Sequence, residues 1–104
     1  LFYQEPDYAH GVWDKLLQKQ PLKILGQLDH FIADGLDGNA LKEACFAWSK
    51  ENEIPFGVLM QSFRIAIVGK LAGPDLLTIC EILGKSVTLK RIEKAKLSII
   101  NLNL

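Results

Sequence analysis

The sequence predicts an all-α protein, folded as a compact bundle of five to six short helices. Three observations favour this fold class. Apolar residues recur at intervals of three and four along most of the chain, prolines and glycines separate the apolar segments, and the connections between segments are short. The chain has 104 residues, of which 49% are hydrophobic, so residues 1–104 can form a single domain with its own core.

The first half of the chain contains three predicted helices. Apolar residues with a helical period predict a first helix that has Asp7 as its N-cap and stops before Pro21. A second helix begins at Pro21 and ends at the glycine turn formed by residues 35–38. Asn39 is the predicted N-cap of a third helix, which ends at the Ile-Pro pair 54–55 because a residue before proline disfavours helical backbone angles.

Residues 56–69 combine two conflicting local signals. The stretch FRIAIV is rich in β-branched side chains, which are common in strands. Apolar residues nevertheless keep helical spacing over the whole segment, and Gln61 and Arg64 lie three apart, so that both can share one exposed stripe. We therefore predict a fourth helix that ends at Gly69.

The last third of the chain is predicted to form two further helices. Pro74 takes the first position of the fifth helix and Asp75 lies in its first turn, where both residue types are favourable. Gly84 ends this helix in a left-handed conformation. Ser86 caps the sixth helix, which has a basic outer face, and the tail 97–104 is expected to extend beyond its end.

Charge is distributed unevenly along a chain whose formal net charge is zero. Residues 1–53 carry five lysines against nine acidic residues, whereas residues 54–104 carry seven lysines and arginines against three acidic residues. Such segregation is a hint of a surface that faces a polyanion. The same basic residues would also suit an ordinary solvated helix face.

The two cysteines and the general hydropathy indicate a cytoplasmic protein. Cys45 and Cys80 lie in apolar helical segments without metal-like spacing, which predicts reduced thiols in the core. The sequence contains no apolar run near transmembrane length and no signal-peptide pattern. Its start, LFYQEP, is typical of a cut inside a longer polypeptide.

Motifs for catalysis or metal binding are missing from the sequence. It contains no Gly-x-Ser-x-Gly, no phosphate-binding lysine loop and no His-Glu-x-x-His. We interpret His10 and His30 as helix-surface or half-buried histidines, and Asp34 and Asp37 as turn and cap residues. A binding or interaction module without catalytic residues or a metal site is the resulting hypothesis.

An ordered set of motifs in residues 62–95, SFRIAIVGKLAGPDLLTICEILGKSVTLKRIEKA, resembles the C-terminal anticodon-binding region of bacterial glutamyl-tRNA synthetases, which are class I enzymes. The resemblance consists of an arginine leading to a glycine, a Gly-Pro before an apolar helix, a Leu-Gly-Lys turn and a final Leu-x-Arg-Ile helix. In this chain these elements are Arg64 to Gly69, Gly73-Pro74, Leu83-Gly84-Lys85 and Leu89 to Ile92. The upstream FYQEPDY and ENEIPFGVLMQSF are also similar to this family.

The resemblance implies part of an enzyme without its catalytic chemistry. It implies an all-α domain of the class I anticodon-binding type that binds tRNA(Glu), with no DNA and no membrane as partner, in a monomeric parent enzyme. ATP and Mg²⁺ would belong to the catalytic domain of that enzyme, since its HIGH and KMSKS signatures do not occur in these 104 residues. The fragment alone is therefore expected to be non-catalytic and to need no cofactor.

The same resemblance implies a set of anticodon-binding residues. Carried over by position, they are Arg64, Gly73, Pro74 and Leu76, to which we add Lys70 for its place in the loop. An arginine offers a planar stacking surface and several donors, and a helix start offers free backbone N–H groups to unstacked bases. Auxiliary phosphate contacts are predicted for Lys85, Lys90, Arg91 and Lys94.

Two departures and one alternative accompany this prediction. Ser62-Phe63 stand where family members often have proline before Leu-Arg, and Val68 replaces a threonine, so no hydroxyl is available at position 68. Arg64 could instead reach solvent or pair with Glu81 within the fold. The alternative function is a small helical protein-interaction module whose basic side docks an acidic partner.

Overall fold

A computed structural model of the chain describes residues 8, 11–69 and 75–102. In this part of the chain every regular element is a helix, and there is no strand. The helices are α1 (Pro21–Ala33), α2 (Gly38–Glu51), α3 (Phe56–Val68) and α4 (Leu76–Leu102). The predicted all-α class is confirmed, and four helices, one of them kinked, replace the predicted five to six.

Helix α4 consists of two arms joined at Gly84. The backbone angles of Gly84 are φ 84° and ψ 166°, a region that only glycine adopts without strain. The predicted positive φ at Gly84 is confirmed, and the predicted fifth and sixth helices are the arms 76–83 and 85–102. Two predictions about the second arm are wrong. Ser86 lies inside it rather than capping it, and the arm continues to Leu102 because Ile99, at 2% exposure, packs into the core.

The predicted first helix is also wrong for the residues that the structure describes. Residues 11–16 form turns, and Leu17–Lys19 form one short 3₁₀ turn. Gly11 and Gln20, with φ values of 82° and 59°, bound this segment with left-handed backbone conformations. The apolar residues that suggested a helix are used for packing, since Trp13 is buried and its ring lies 5.6 Å from that of Tyr8. The proposed N-cap Asp7 lies outside the described residues.

The ends of the middle helices agree with the predictions within a residue or two. Helix α1 begins at Pro21, and Asp34 is its C-cap. Asp37, rather than Asn39, is the N-cap of α2, because that helix already begins at Gly38. Gly69, with φ 87°, ends α3 and its N–H donates to the Ile65 carbonyl at 2.7 Å.

Helix α3 contributes to the centre of the core, which explains why its sequence resembles a buried strand. Phe63, Ala66 and Ile67 are each 0% exposed. The helix packs against α1, α2 and α4, so it buries apolar side chains around much of its circumference rather than along one stripe. Among the described helices none is long and apolar enough to cross a membrane.

The two cysteines are free thiols, as predicted. Cys45 is buried in α2, and burial raises its pKa to about 11. Cys80 is partly buried in the first arm of α4, where burial raises its pKa to about 12. Both thiols are therefore protonated and weakly nucleophilic near neutral pH.

Candidate nucleic-acid interface

The side chain of Asp75 caps the N-terminus of α4. Asp75 Oδ2 accepts hydrogen bonds from the backbone N–H of Thr78 at 3.1 Å and from the Thr78 hydroxyl at 3.0 Å. The Asp75 carbonyl accepts the first bond of the helix, from Ile79 N–H at 3.1 Å. Asp75 is thus the N-cap, a place where aspartate is strongly favoured, and helix α4 begins at Leu76.

This cap corrects part of the predicted chemistry of the helix start. We expected its first backbone N–H groups to be open to a base oxygen or a phosphate. The N–H of Thr78 is instead occupied by the Asp75 carboxylate, and that negative charge disfavours a phosphate at the same point. A carboxylate can instead accept hydrogen bonds from the amino groups of nucleobases.

The positive charge of Arg64 acts on the Asp75 carboxylate at the start of α4. The pKa of Asp75 is lowered, first by the Thr78 backbone hydrogen bond and then by the Thr78 hydroxyl, with further lowering by the positive charges of Lys42 and Arg64. Arg64 on α3 and Lys42 on α2 are therefore close enough to the start of α4 to act on its carboxylate. This is the juxtaposition that the anticodon-binding prediction requires.

Lys42 was not among the predicted site residues. The sequence signal for it was only a charged position on the outer face of α2, and nothing local connects that position with residues 64–75. The fold makes the connection, because α2 packs on both α3 and α4. Lys42 is exposed, and its charge, like that of half-buried Arg64, acts on the Asp75 carboxylate.

Of the remaining predicted loop contacts, the structure describes only Leu76. Leu76 is 2% exposed and belongs to the core, so its side chain does not present the apolar edge that we expected. Lys70, Gly73 and Pro74 lie outside the described residues. Their predicted contacts stay predictions.

The second arm of α4 carries three of the four predicted phosphate contacts on its surface. Lys85, Lys90 and Lys94 are exposed. Arg91, by contrast, is 4% exposed, and its Nη1 donates to the Ile67 carbonyl at 2.8 Å. The burial of Arg91 does not fit an exposed phosphate contact, because its charge already serves an acceptor inside the fold.

Tyr8 connects this basic arm with the end of α3. Its hydroxyl lies 2.6 Å from the Ala66 carbonyl, and its ring lies 5.8 Å from Lys94 Nζ, within cation–π distance. Lys94 therefore lies near the C-terminal end of α3, the end from which the chain leads toward Asp75. The exposed lysines and Arg64 are thereby held on one continuous framework of α3 and α4.

A cleft of about 250 Å³ lies between the α1–α2 turn and the kink in α4. Its walls carry two carboxylates, one ammonium group and the Cys80 thiol above an apolar floor; the lining residues include Asp37, Glu81, Lys85, Leu36, Leu41 and Leu77. Lys85 is the one predicted phosphate contact in this lining. Lys85 and Glu81 thus bring opposite charges to the lining of the cleft.

His30 lies on the exposed end of α1, as predicted, with Nε2 3.4 Å from Asp34 Oδ2. Asp37 occupies the N-cap position of α2, but its side chain makes no capping hydrogen bond. Within the described residues, no group of three or more histidine, cysteine, aspartate or glutamate side chains could hold a metal ion. His10 lies outside those residues.

The family comparison agrees with this geometry. The sequence model of the "Anticodon binding domain" family matches residues 1–96. The chain belongs to the anticodon-binding domain family. In this domain family, the match covers α1, α2, α3 and most of α4, including Arg64 and the capped helix start.

Individual relatives of this anticodon-binding domain are named as glutamate–tRNA ligases. The protein from Christiangramia forsetii is 43% identical over 75 residues, covering 70% of this chain and 15% of its own length. The Flavobacterium johnsoniae protein is 39% identical, covering 91% of this chain and 19% of its own. Glutamate–tRNA ligase 1 of Helicobacter pylori is 45% identical, covering 85% and 19%. The domain thus spans less than a fifth of the length of these relatives.

Proposed function

We propose that this anticodon-binding domain recognises the anticodon loop of tRNA(Glu) within a longer glutamate–tRNA ligase. The observation that carries the proposal is the family match over residues 1–96, which includes Arg64 and the Asp75-capped start of α4. The ligase names of the relatives support the choice of tRNA(Glu). In such an enzyme, ATP and Mg²⁺ would act in the catalytic domain, and the enzyme would be a cytoplasmic monomer.

Arg64 and Asp75 offer complementary chemistry to an unstacked base. The guanidinium of Arg64 provides a flat surface for stacking and N–H donors for base carbonyl groups. The Asp75 carboxylate provides acceptors for base amino groups. Single-stranded loop bases are recognised in this way, by stacking and by hydrogen bonds on their edges. This pair is therefore the proposed specificity element.

The exposed lysines attract the phosphates of the tRNA, and this attraction does not depend on the nucleotide sequence. Lys42, Lys85, Lys90 and Lys94 lie on α2 and α4 and are all exposed. Contacts of lysine with phosphates weaken as salt concentration rises, because bound counterions are released. Lys70, Gly73 and Pro74 are retained as proposed loop contacts, and buried Leu76 acts by holding the start of α4 in the core.

The decisive experiment uses the full-length enzyme with Arg64→Ala. The measurement is kcat/KM for a tRNA(Glu) transcript and for transcripts with single altered anticodon bases. We expect the preference for the cognate anticodon to fall about tenfold, a typical loss for one bidentate contact. The KM values for glutamate and ATP are expected to stay within about twofold, since those substrates bind to another domain.

Lys50→Ala is the matched control for loss of a surface cation. Lys50 is exposed on α2 and lies about 12 Å from Lys42 by helical rise. We expect the enzyme with Lys50→Ala to retain its preference for the cognate anticodon. If Arg64→Ala discriminates as well as the parent enzyme, the proposed site is wrong. Binding of the enzyme to tRNA that ignores every anticodon change would favour a general basic docking surface instead.

A further inference from the structure

The C-terminal end of α3 is held by side chains from distant parts of the chain. The last four carbonyls of a helix have no donors within the helix. In α3, the Ile65 carbonyl accepts from Gly69 N–H at 2.7 Å. The next carbonyl, of Ala66, accepts from the Tyr8 hydroxyl at 2.6 Å, and the following one, of Ile67, accepts from Arg91 Nη1 at 2.8 Å. Three consecutive carbonyls are thus satisfied.

The contact with Ile67 compensates part of the cost of burying the Arg91 charge. A guanidinium does not lose its proton in a protein, so burying it is unfavourable unless polar groups compensate. The end of a helix carries partial negative charge on its free carbonyls. Arg91 is placed there, in contact with Ile67, and the Tyr8 hydroxyl also lies 3.2 Å from the Arg91 carbonyl. We call Tyr8, Ala66, Ile67 and Arg91 the α3 clamp.

The α3 clamp joins the proposed reading residues to the rigid part of the fold. Arg64 lies on α3 within one turn of Ala66 and Ile67. Arg91 lies on the second arm of α4, whereas Asp75 begins the first arm, on the other side of the Gly84 kink. The clamp therefore fixes the end of α3 against one arm, and the chain must return from that fixed point to Asp75.

We infer that Arg91 and Tyr8 are positioning residues for anticodon recognition. They fix the C-terminal end of α3, within one turn of Arg64, against the second arm of α4 without touching the RNA. This inference rests on the proposed function. A displacement of about 1 Å in a recognition group is enough to weaken its contacts substantially, so loosening the clamp lowers discrimination between anticodons.

The test compares Arg91→Met, Arg91→Lys and Tyr8→Phe in the full-length enzyme, with Arg64→Ala alongside. Methionine fills much of the arginine volume, but it leaves the Ile67 carbonyl without its donor, so Arg91→Met is expected to lower stability. The readout is the ratio of kcat/KM for the cognate tRNA(Glu) transcript to that for a transcript with one altered anticodon base. Thermal melting reports folding, and Lys50→Met controls for loss of a cation.

We expect Arg91→Met to lower this ratio about fivefold and Tyr8→Phe about twofold, with KM for glutamate and ATP within about twofold of the parent. Arg91→Lys should recover part of the ratio, because lysine keeps the charge but lacks the planar donor fork. A loss that is merely structural would lower kcat/KM equally for both transcripts and leave the ratio unchanged.

The outcomes distinguish the proposed anticodon recognition from the positioning role of Arg91 and Tyr8. If Arg64→Ala lowers the ratio and the folded clamp variants do not, the positioning role is wrong and the proposed function stands. If Arg64→Ala leaves the ratio unchanged, the proposed function fails and the positioning inference fails with it. If Arg91→Met does not fold, Tyr8→Phe decides, since it removes one hydroxyl, and an unchanged ratio in that variant overturns the inference.

Discussion

The Asp75 carboxylate accepts hydrogen bonds from both the backbone N–H and the hydroxyl of Thr78, at 3.1 and 3.0 Å. One side chain thus satisfies a helix terminus and places a negative charge beside Arg64 and Lys42. The cap is local in sequence, but its charged neighbours come from α2 and α3. This arrangement makes the start of α4 both a structural terminus and part of the proposed recognition site.

Asp75→Ala is expected to lower the melting temperature of the chain at neutral pH, because the first turn of α4 loses its cap. Asp75→Asn should melt close to the parent, since asparagine is an equally good N-cap. The measurement is thermal unfolding followed by circular dichroism. Equal melting temperatures for the alanine variant and the parent would contradict the capping role.

The pH dependence of the same cap has a definite sign. The pKa of Asp75 is lowered in the folded chain from its usual value of 3.8, so the folded state favours the charged carboxylate. Its contribution to stability is present above pH 3.8 and is lost as the pH falls through the lower folded pKa. The parent should lose this contribution at acid pH, whereas Asp75→Asn, which does not titrate, should not.

The sequence located those elements whose ends are determined by local backbone chemistry. Pro21, Gly69 and Gly84 restrict or permit particular backbone angles, and each lies at the predicted start, end or kink. The first predicted helix failed because Gly11 and Gln20 interrupt the helical backbone with left-handed conformations. Its apolar residues Trp13 and Leu16 are buried in the core without forming an α-helix.

The resemblance to anticodon-binding regions selected Arg64 and the entry to α4 from the sequence, and the charge of Arg64 acts on Asp75 at that entry. The role of Arg91 was not predictable, because its acceptor Ile67 is 24 residues away and helical spacing groups it with exposed Lys90 and Lys94. Similarly, Lys42 reaches the site only through the packing of α2 on α3 and α4.

Both cysteines are expected to react slowly with a thiol reagent in the folded chain. Burial raises the pKa of Cys45 to about 11 and that of Cys80 to about 12, so little thiolate exists near neutral pH. Labelling with a disulfide reagent at about pH 8 should be at least about tenfold slower in the folded chain than in urea. Fast labelling of either thiol without denaturant would contradict its protected state.

Phe63→Ala tests the central position of α3 in the core. Phe63 is 0% exposed, and removing a buried phenylalanine ring typically lowers the free energy of unfolding by about 3–5 kcal/mol. Phe46→Ala is the matched control, because that ring is 49% exposed and its main aromatic contact is with Phe56. Its expected loss is only about 0.5–1.5 kcal/mol. Urea unfolding measures both values, and similar losses would contradict the assignment of the core.

Gly84→Ala tests whether the kink in α4 depends on a glycine backbone. No neighbouring atom lies within 4 Å of an added Cβ at this position, so any loss of stability comes from backbone strain rather than from a clash. With φ 84° and ψ 166°, we expect the free energy of unfolding to fall by about 1–3 kcal/mol.

Gly26→Ala is the control and is expected to raise the free energy of unfolding instead. Gly26 lies in the interior of α1 and likewise has nothing within 4 Å of an added Cβ. Alanine there should stabilise the chain by about 0.5–1 kcal/mol through its higher helix propensity. If both variants were stabilised in urea unfolding, α4 would tolerate a straight helix at Gly84, and the kink would not need a glycine.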